Sequence, residues 1–282
     1  MLVEVRCKNV LTAPLFRGDD LLMRGVLDRY RISDDGLCWW CGAIATTAEH
    51  KYKARDLRRV QAASTEGNVS RIAEDGYSGV LRSLRKGSAI RWSVNLCAEC
   101  NNARSQRFDR SYDQFVDYLA NNWEALMNAR RLRWRDIYGR DWRPGATALD
   151  QYLVKQFGCM MRTENLAVPS SARAFLDGGA SGDIYIGLFV DDEILAFRER
   201  MMEHGGADYW LKNFIGLPPT QARHDGNQLT GSEYLLRLGY VVFRVAWIKD
   251  ERHTSMHERA SFRIPHLVED GRTAGTLPIT EV

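Results

Sequence analysis

The chain has 282 residues, enough for one large domain or two ordinary ones. Hydrophobic residues make up 45% and charged residues 27%, which excludes an intrinsically disordered chain, and no stretch approaches the roughly 18 apolar residues of a membrane span. The net charge of +3 is too small to imply a polyanionic partner, but residues 51–110 carry thirteen Lys or Arg against six Asp or Glu. That local excess reads either as a phosphate-facing patch or as a solvated face.

Acid and base interrupt the apolar run Met1-Leu2-Val3-Glu4-Val5-Arg6-Cys7, so it does not read as a signal peptide and the expected location is the cytoplasm. Leu21, Leu22, Val26 and Leu27 suggest a short helix. Residues 49–59 read as a loop passing into a basic helix, residues 62–87 dissolve into Ser, Gly and charge, and residues 89–96 alternate as a strand. Phe108, Tyr112, Phe115, Leu119, Trp123, Leu126 and Met127 recur at three- and four-residue spacing, which stacks them on the core face of a long helix. Pro144-Gly145 is the expected boundary between a domain over residues 1–145 and a second over residues 146–282. In the second, residues 184–190, 240–248 and 262–264 read as strands and residues 193–203 as a helix. The fold class expected is α+β, an N-terminal domain followed by a mixed α+β domain.

Four of the six cysteines come as two C-x-x-C pairs, Cys38-Trp39-Trp40-Cys41 and Cys97-Ala98-Glu99-Cys100. A C-x-x-C turn presents two thiolates from one tight loop, and two such turns complete a tetrahedral Cys₄ site for a structural Zn²⁺. Cys7 and Cys159 stand alone and read as buried thiols.

Between the pairs lies Ala48-Glu49-His50-Lys51, and the second pair continues as Asn101-Asn102-Ala103-Arg104-Ser105. This order resembles the zinc-knuckle branch of the HNH endonuclease (ββα-metal, treble-clef) family: an acidic residue and His after the first C-x-x-C, then L-C-x-x-C-N-x-x-[KR]. The match covers residues 37–115. The resemblance implies His50 as the general base, Glu49 and Asn101 as ligands of one catalytic Mg²⁺ or Mn²⁺, and Arg104 as a fixed positive charge at the same phosphate. It implies DNA as the substrate, in a setting of bacterial defence or mobile elements. Lys51, Lys53, Arg55, Arg58 and Arg59 would contact phosphates on one side of the scissile bond, and Arg107 and Arg110 on the other. The family's middle Asn, nine residues before the final ligand, is here Trp92, and residues 62–87 are the expected insertion.

Other readings stand beside this one. Asn101 and Asn102 also suit a helix cap. The same basic face would serve a non-catalytic zinc module that binds nucleic acid. The C-terminal domain is expected to recognise a target, protein partner or effector, or to carry the main activity itself.

Overall fold

The computed structural model describes residues 27–63, 69–72, 78–81, 83–84, 87, 89–192, 195–196, 199, 215–217 and 221–267. Cys7 and most of the helices expected over residues 21–27 and 193–203 lie outside them. The architecture is mixed α+β. Strand β1 (Thr47–His50) pairs antiparallel with β4 (Arg91–Leu96), setting Thr47 opposite Leu96 and His50 opposite Arg91. Between these strands come helix α1 (Ala54–Ala63) and the small hairpin β2 (Ser70–Ile72) with β3 (Ser78–Val80). The insertion expected at residues 62–87 therefore begins at the end of α1 and includes this hairpin.

Helix α2 (Gln106–Ala129) buries Phe108, Tyr112, Phe115, Leu119 and Leu126, as the three- and four-residue spacing predicts. Its other face receives α1 through a row of charges. Asp109, Asp113 and Asp117 lie four residues apart and so share one stripe of the helix. Lys53 meets Asp109 at 3.2 Å and Asp113 at 3.0 Å, Arg55 meets Asp117 at 2.7 Å, and Arg59 also pairs with Asp117. Between the two helices the Tyr112 hydroxyl donates to the buried Asp56 carboxylate at 2.9 Å.

Strand β5 (Arg131–Arg133) and the short helix α3 (Trp134–Tyr138) lead into α4 (Arg143–Thr163). The expected boundary at Pro144-Gly145 is the first turn of α4. One continuous core runs from the cysteine knuckle through α4 to the C-terminal sheet, so the described parts of the two expected domains share it. Helix α4 packs on β4, α2, α5 (Ser170–Leu176) and the sheet. From Ala148 to Met161 it is buried on every side, including Asp150, Gln151, Lys155 and Gln156. A helix enclosed all round has no polar stripe, which is why its periodicity does not announce it.

The sheet contains β6 (Ile184–Val190), β7 (Ile215–Gly216), β8 (Gln221–His224), β9 (Leu229–Leu238) and β10 (Val241–Ile248), in the order β6-β10-β9-β7 with β8 also on β9. All of its pairs are antiparallel. The last strand, β11 (Ser261–Arg263), does not join it. It pairs with β5, setting Phe262 opposite Leu132.

Gly158 lets α4 approach the knuckle closely, because a Cβ there would overlap the Trp39 indole. Overpacking of this kind costs about 1–3 kcal/mol. Gly158→Ala is therefore expected to lower the thermal midpoint, although alanine is the better helix former, and an unchanged midpoint would mean that the indole gives way.

Burial raises the Asp56 pKa from its ordinary 3.8 to about 6, against the lowering effect of the Tyr112 hydrogen bond and Arg59. The folded chain thus holds a proton that the unfolded chain has released. Stability from this group falls as pH rises from about 4 to about 6, by up to about 3 kcal/mol. Asp56→Asn should gain stability relative to the wild type across that interval in denaturant titrations, and a pH-independent difference between the two proteins would refute the assignment.

Candidate functional site

The first knuckle is a turn closed by the Cys38 amide donating to the Ala43 carbonyl at 2.6 Å and the Gly42 amide donating to Cys38 at 2.8 Å. Gly42 holds φ +80°, a conformation that glycine adopts without strain. The Trp39 amide donates to the Asn95 carbonyl at 3.1 Å, which lays this turn against β4 just before the second pair. Cys97 then opens a π-helical turn (Glu99–Arg104) in which the Asn101 amide donates to the Cys97 carbonyl at 3.0 Å.

These turns bring the Sγ atoms of Cys38, Cys41, Cys97 and Cys100 within 4.8 Å of one another, with 3.6 Å between Cys41 and Cys97. All four are free thiols. A tetrahedron of zinc–sulfur bonds of about 2.3 Å separates its sulfurs by roughly 3.8 Å, so the cluster suits a metal ion such as zinc. A hydrogen bond from the Ala43 amide lowers the Cys41 pKa to about 7, while burial raises those of Cys38 and Cys100.

Arg104 closes the cluster. It donates to Cys100 Sγ at 3.3 Å, stacks over the Trp40 ring at 4.3 Å and pairs with Asp177. Trp40 Nε1 donates to the same Asp177 carboxylate at 2.8 Å. The guanidinium expected at a phosphate is therefore turned toward the thiols.

Glu49 is also held inside the protein. Its Oε2 accepts from Lys155 Nζ at 3.0 Å and its Oε1 from Gln156 Nε2 at 3.3 Å. Lys155 is fully buried and also donates to Ser105 Oγ at 3.1 Å, and Ser105 Oγ donates to the Asn101 carbonyl at 2.9 Å. Burial lowers the Lys155 pKa, but Glu49 and Asp109 outweigh it and the net shift is upward, so the ammonium stays charged. One buried cation thus joins the strand that ends in His50 to the turn that carries Asn101.

Trp92, nine residues before Asn101, donates from Nε1 to Gln156 Oε1 at 2.7 Å. Gln156 passes the bond on to Glu49, so the strand before His50 is braced by a relay rather than by one amide. Asn101 Oδ1 is buried and has no hydrogen-bond partner among the described residues. His50 is half-buried at the end of β1.

The expected phosphate contacts separate into two groups. Lys53, Arg55 and Arg59 are neutralised by the aspartates of α2, so they fix α1 in place. Lys51 lies over the Trp92 ring at 4.9 Å, and Arg58 is exposed. Arg107 and Arg110 line a separate cleft with Arg143, which no motif marks. Lys155 and Gln156 did leave a signal, as two polar residues inside the apolar run from Tyr152 to Met161. Such residues need buried partners.

Cys97→Ser should cost the chain its metal and its knuckle together, since binding at a closed thiolate site is coupled to folding. Metal analysis of the purified wild type is expected to give one zinc per chain, with loss of zinc and a lower melting temperature in the variant. Well-folded wild type without zinc would refute this.

Comparison with protein families, with curated proteins and with solved structures finds no match to this chain, so the functional reading rests on the residues and their geometry.

Proposed function

We propose that the chain binds nucleic acid, DNA foremost, and hydrolyses its phosphodiester bonds as a zinc-knuckle nuclease of the HNH type. The observation that carries this reading is the β1–β4 pairing, which sets the strand ending in His50 antiparallel to the strand running into Cys97 and Asn101. Strand, strand, metal knuckle and helix then follow in the order of the resembled family. His50 is the general base, taking a proton from the water that attacks phosphorus. An imidazole suits this because its ordinary pKa lies near neutrality. The leaving 3′ oxygen takes its proton from solvent.

The Mg²⁺ or Mn²⁺ site expected on Glu49 and Asn101 does not fit the residues present. Both Glu49 oxygens accept hydrogen bonds from α4, and the Lys155 ammonium already balances the carboxylate charge. Asn101 Oδ1 is the one expected donor without a partner among the described residues, and a single amide oxygen does not hold a dication. Glu49 is read instead as an anchor that fixes the strand before His50.

That same enclosure of Glu49 favours a second reading, a zinc-stabilised module that binds nucleic acid without cutting it. A cleavage assay with and without divalent ions decides between them. His50→Ala is expected to keep its zinc and its melting temperature while losing on the order of 10²- to 10⁴-fold in cleavage rate. A wild type that binds DNA and never cuts it supports the second reading, and a variant as fast as the wild type removes His50 from the chemistry.

A further inference from the structure

Between the start of α2, the first turns of α4 and the end of α5 lies a cleft of about 660 Å³. Three guanidinium groups line it: Arg107 and Arg110 from α2, and Arg143 from α4. No carboxylate among the described residues pairs with any of the three. Other arginines of this part of the chain differ: Arg55 and Arg59 on α1 and Arg104 in the π-helical turn before α2 are each paired with an aspartate.

The partners the three do have are neutral, and they orient the side chains without cancelling their charge. Arg107 donates to Oε1 of the buried Gln151 at 3.2 Å and lies over the Phe108 ring at 5.1 Å. Gln151 is itself fixed, donating to the Phe175 carbonyl at 2.8 Å. Arg143 lies over the Trp142 ring at 4.8 Å, and Arg110 donates to Gln106 Oε1 at 2.9 Å. A guanidinium carries five donors and is held here by one contact or by its ring face, so most of its N–H groups remain available.

Like charges around one concavity repel each other, and an anion placed among them relieves that repulsion. Planar guanidinium forks match the oxygens of a phosphoryl group in two parallel hydrogen bonds. A volume of about 660 Å³ exceeds what one phosphate fills and admits a short run of nucleotides. We infer that this cleft is a phosphoryl-binding site that takes the sugar–phosphate backbone of a polynucleotide. It rests on the proposed action on nucleic acid and moves the backbone contacts from α1 to the junction of α2 and α4. Arg143 enters as a contact residue, while Lys53, Arg55 and Arg59 leave the interface.

The test uses the full chain with its zinc, the triple variant Arg107→Ala, Arg110→Ala, Arg143→Ala, and a control triple variant Arg131→Ala, Arg252→Ala, Arg259→Ala. The control removes the same charge from exposed positions away from the cleft. Binding of a duplex oligonucleotide is read by fluorescence anisotropy over a range of salt, and binding of inorganic tripolyphosphate by thermal shift. The cleft variant is expected to lose at least tenfold in oligonucleotide affinity at low salt. Its log–log salt slope should flatten by about 2–3, near 0.9 per phosphate contact, with zinc content and melting temperature kept. The control should stay within about threefold of the wild type.

Equal losses in both triple variants would reduce the effect to net charge and overturn the site. Oligonucleotide binding unaltered in the cleft variant would overturn it while leaving the proposed function standing. Tripolyphosphate binding lost in the cleft variant, with no oligonucleotide bound by the wild type, would overturn the polynucleotide assignment and the proposed function but support a phosphoryl site. Binding of neither probe by the wild type would overturn the site altogether.

Discussion

A single ammonium group, that of Lys155, holds together the segments on which the rest of this structure depends. It reaches Glu49 on β1 and Ser105 at the end of the knuckle turn, and lies 3.6 Å from Asp109 on α2. Glu49 comes from a part of the chain distant from Ser105 and Asp109, which lie one helical turn apart, and the ammonium ties the strand to that turn. Taking an ammonium and a carboxylate out of water costs several kcal/mol each. The cost is offset only where every remaining donor and acceptor is matched, and Gln156, Trp92 and Ser105 supply those matches. The pair therefore contributes less to total stability than to uniqueness. A shift of the strand or of the turn would leave a charge buried alone.

The cysteine cluster and this charge cluster divide the work of positioning. The four cysteines bring the two knuckle turns together, where a metal such as zinc would fix them to each other, and Lys155 fixes the paired strands and the following turn to α4. Trp39 and Gly158 form the close contact between the two systems. Arg104 is drawn into the first system by the Asp177 carboxylate, by its hydrogen bond to Cys100 Sγ and by the Trp40 ring beneath it. A guanidinium one turn further along, at Arg107, has no such partner and faces the cleft. Two arginines of similar sequence context thus receive different tasks from the anions that happen to lie near them.

Much of this was legible in the sequence. The spacing of the C-x-x-C pairs predicts the cluster, the aromatic stripe from Phe108 to Leu126 predicts α2, and the β-branched runs at residues 184–190 and 240–248 predict two strands of the sheet. What stayed hidden depends on contacts between distant residues. Pro144-Gly145 looks like a boundary because both residues break helices in isolation, yet proline is well tolerated at a helix start. The charges of α1 look available for phosphates because the four-residue repeat of Asp109, Asp113 and Asp117 declares its partner only once α1 and α2 are packed. Glu49 beside His50 looks like a metal ligand because nothing local reveals a lysine 106 residues later that claims it.

The pairing of β5 with β11 sets a schedule for how a ribosome can deliver this protein. Trp134 is fully buried, its indole donates to the Met256 carbonyl and its amide to Ala260. Phe115 and Tyr138 pack on the ring from nearby in the chain, but the Met256 carbonyl that its indole needs is made 122 positions later. At typical synthesis rates that gap lasts on the order of ten seconds, during which a large apolar ring and the strand before it wait without their partner. The knuckle, by contrast, has all its ligands once Cys100 has emerged. A metal held there would organise the first part of the chain early, while the core beneath it closes only near the end of synthesis.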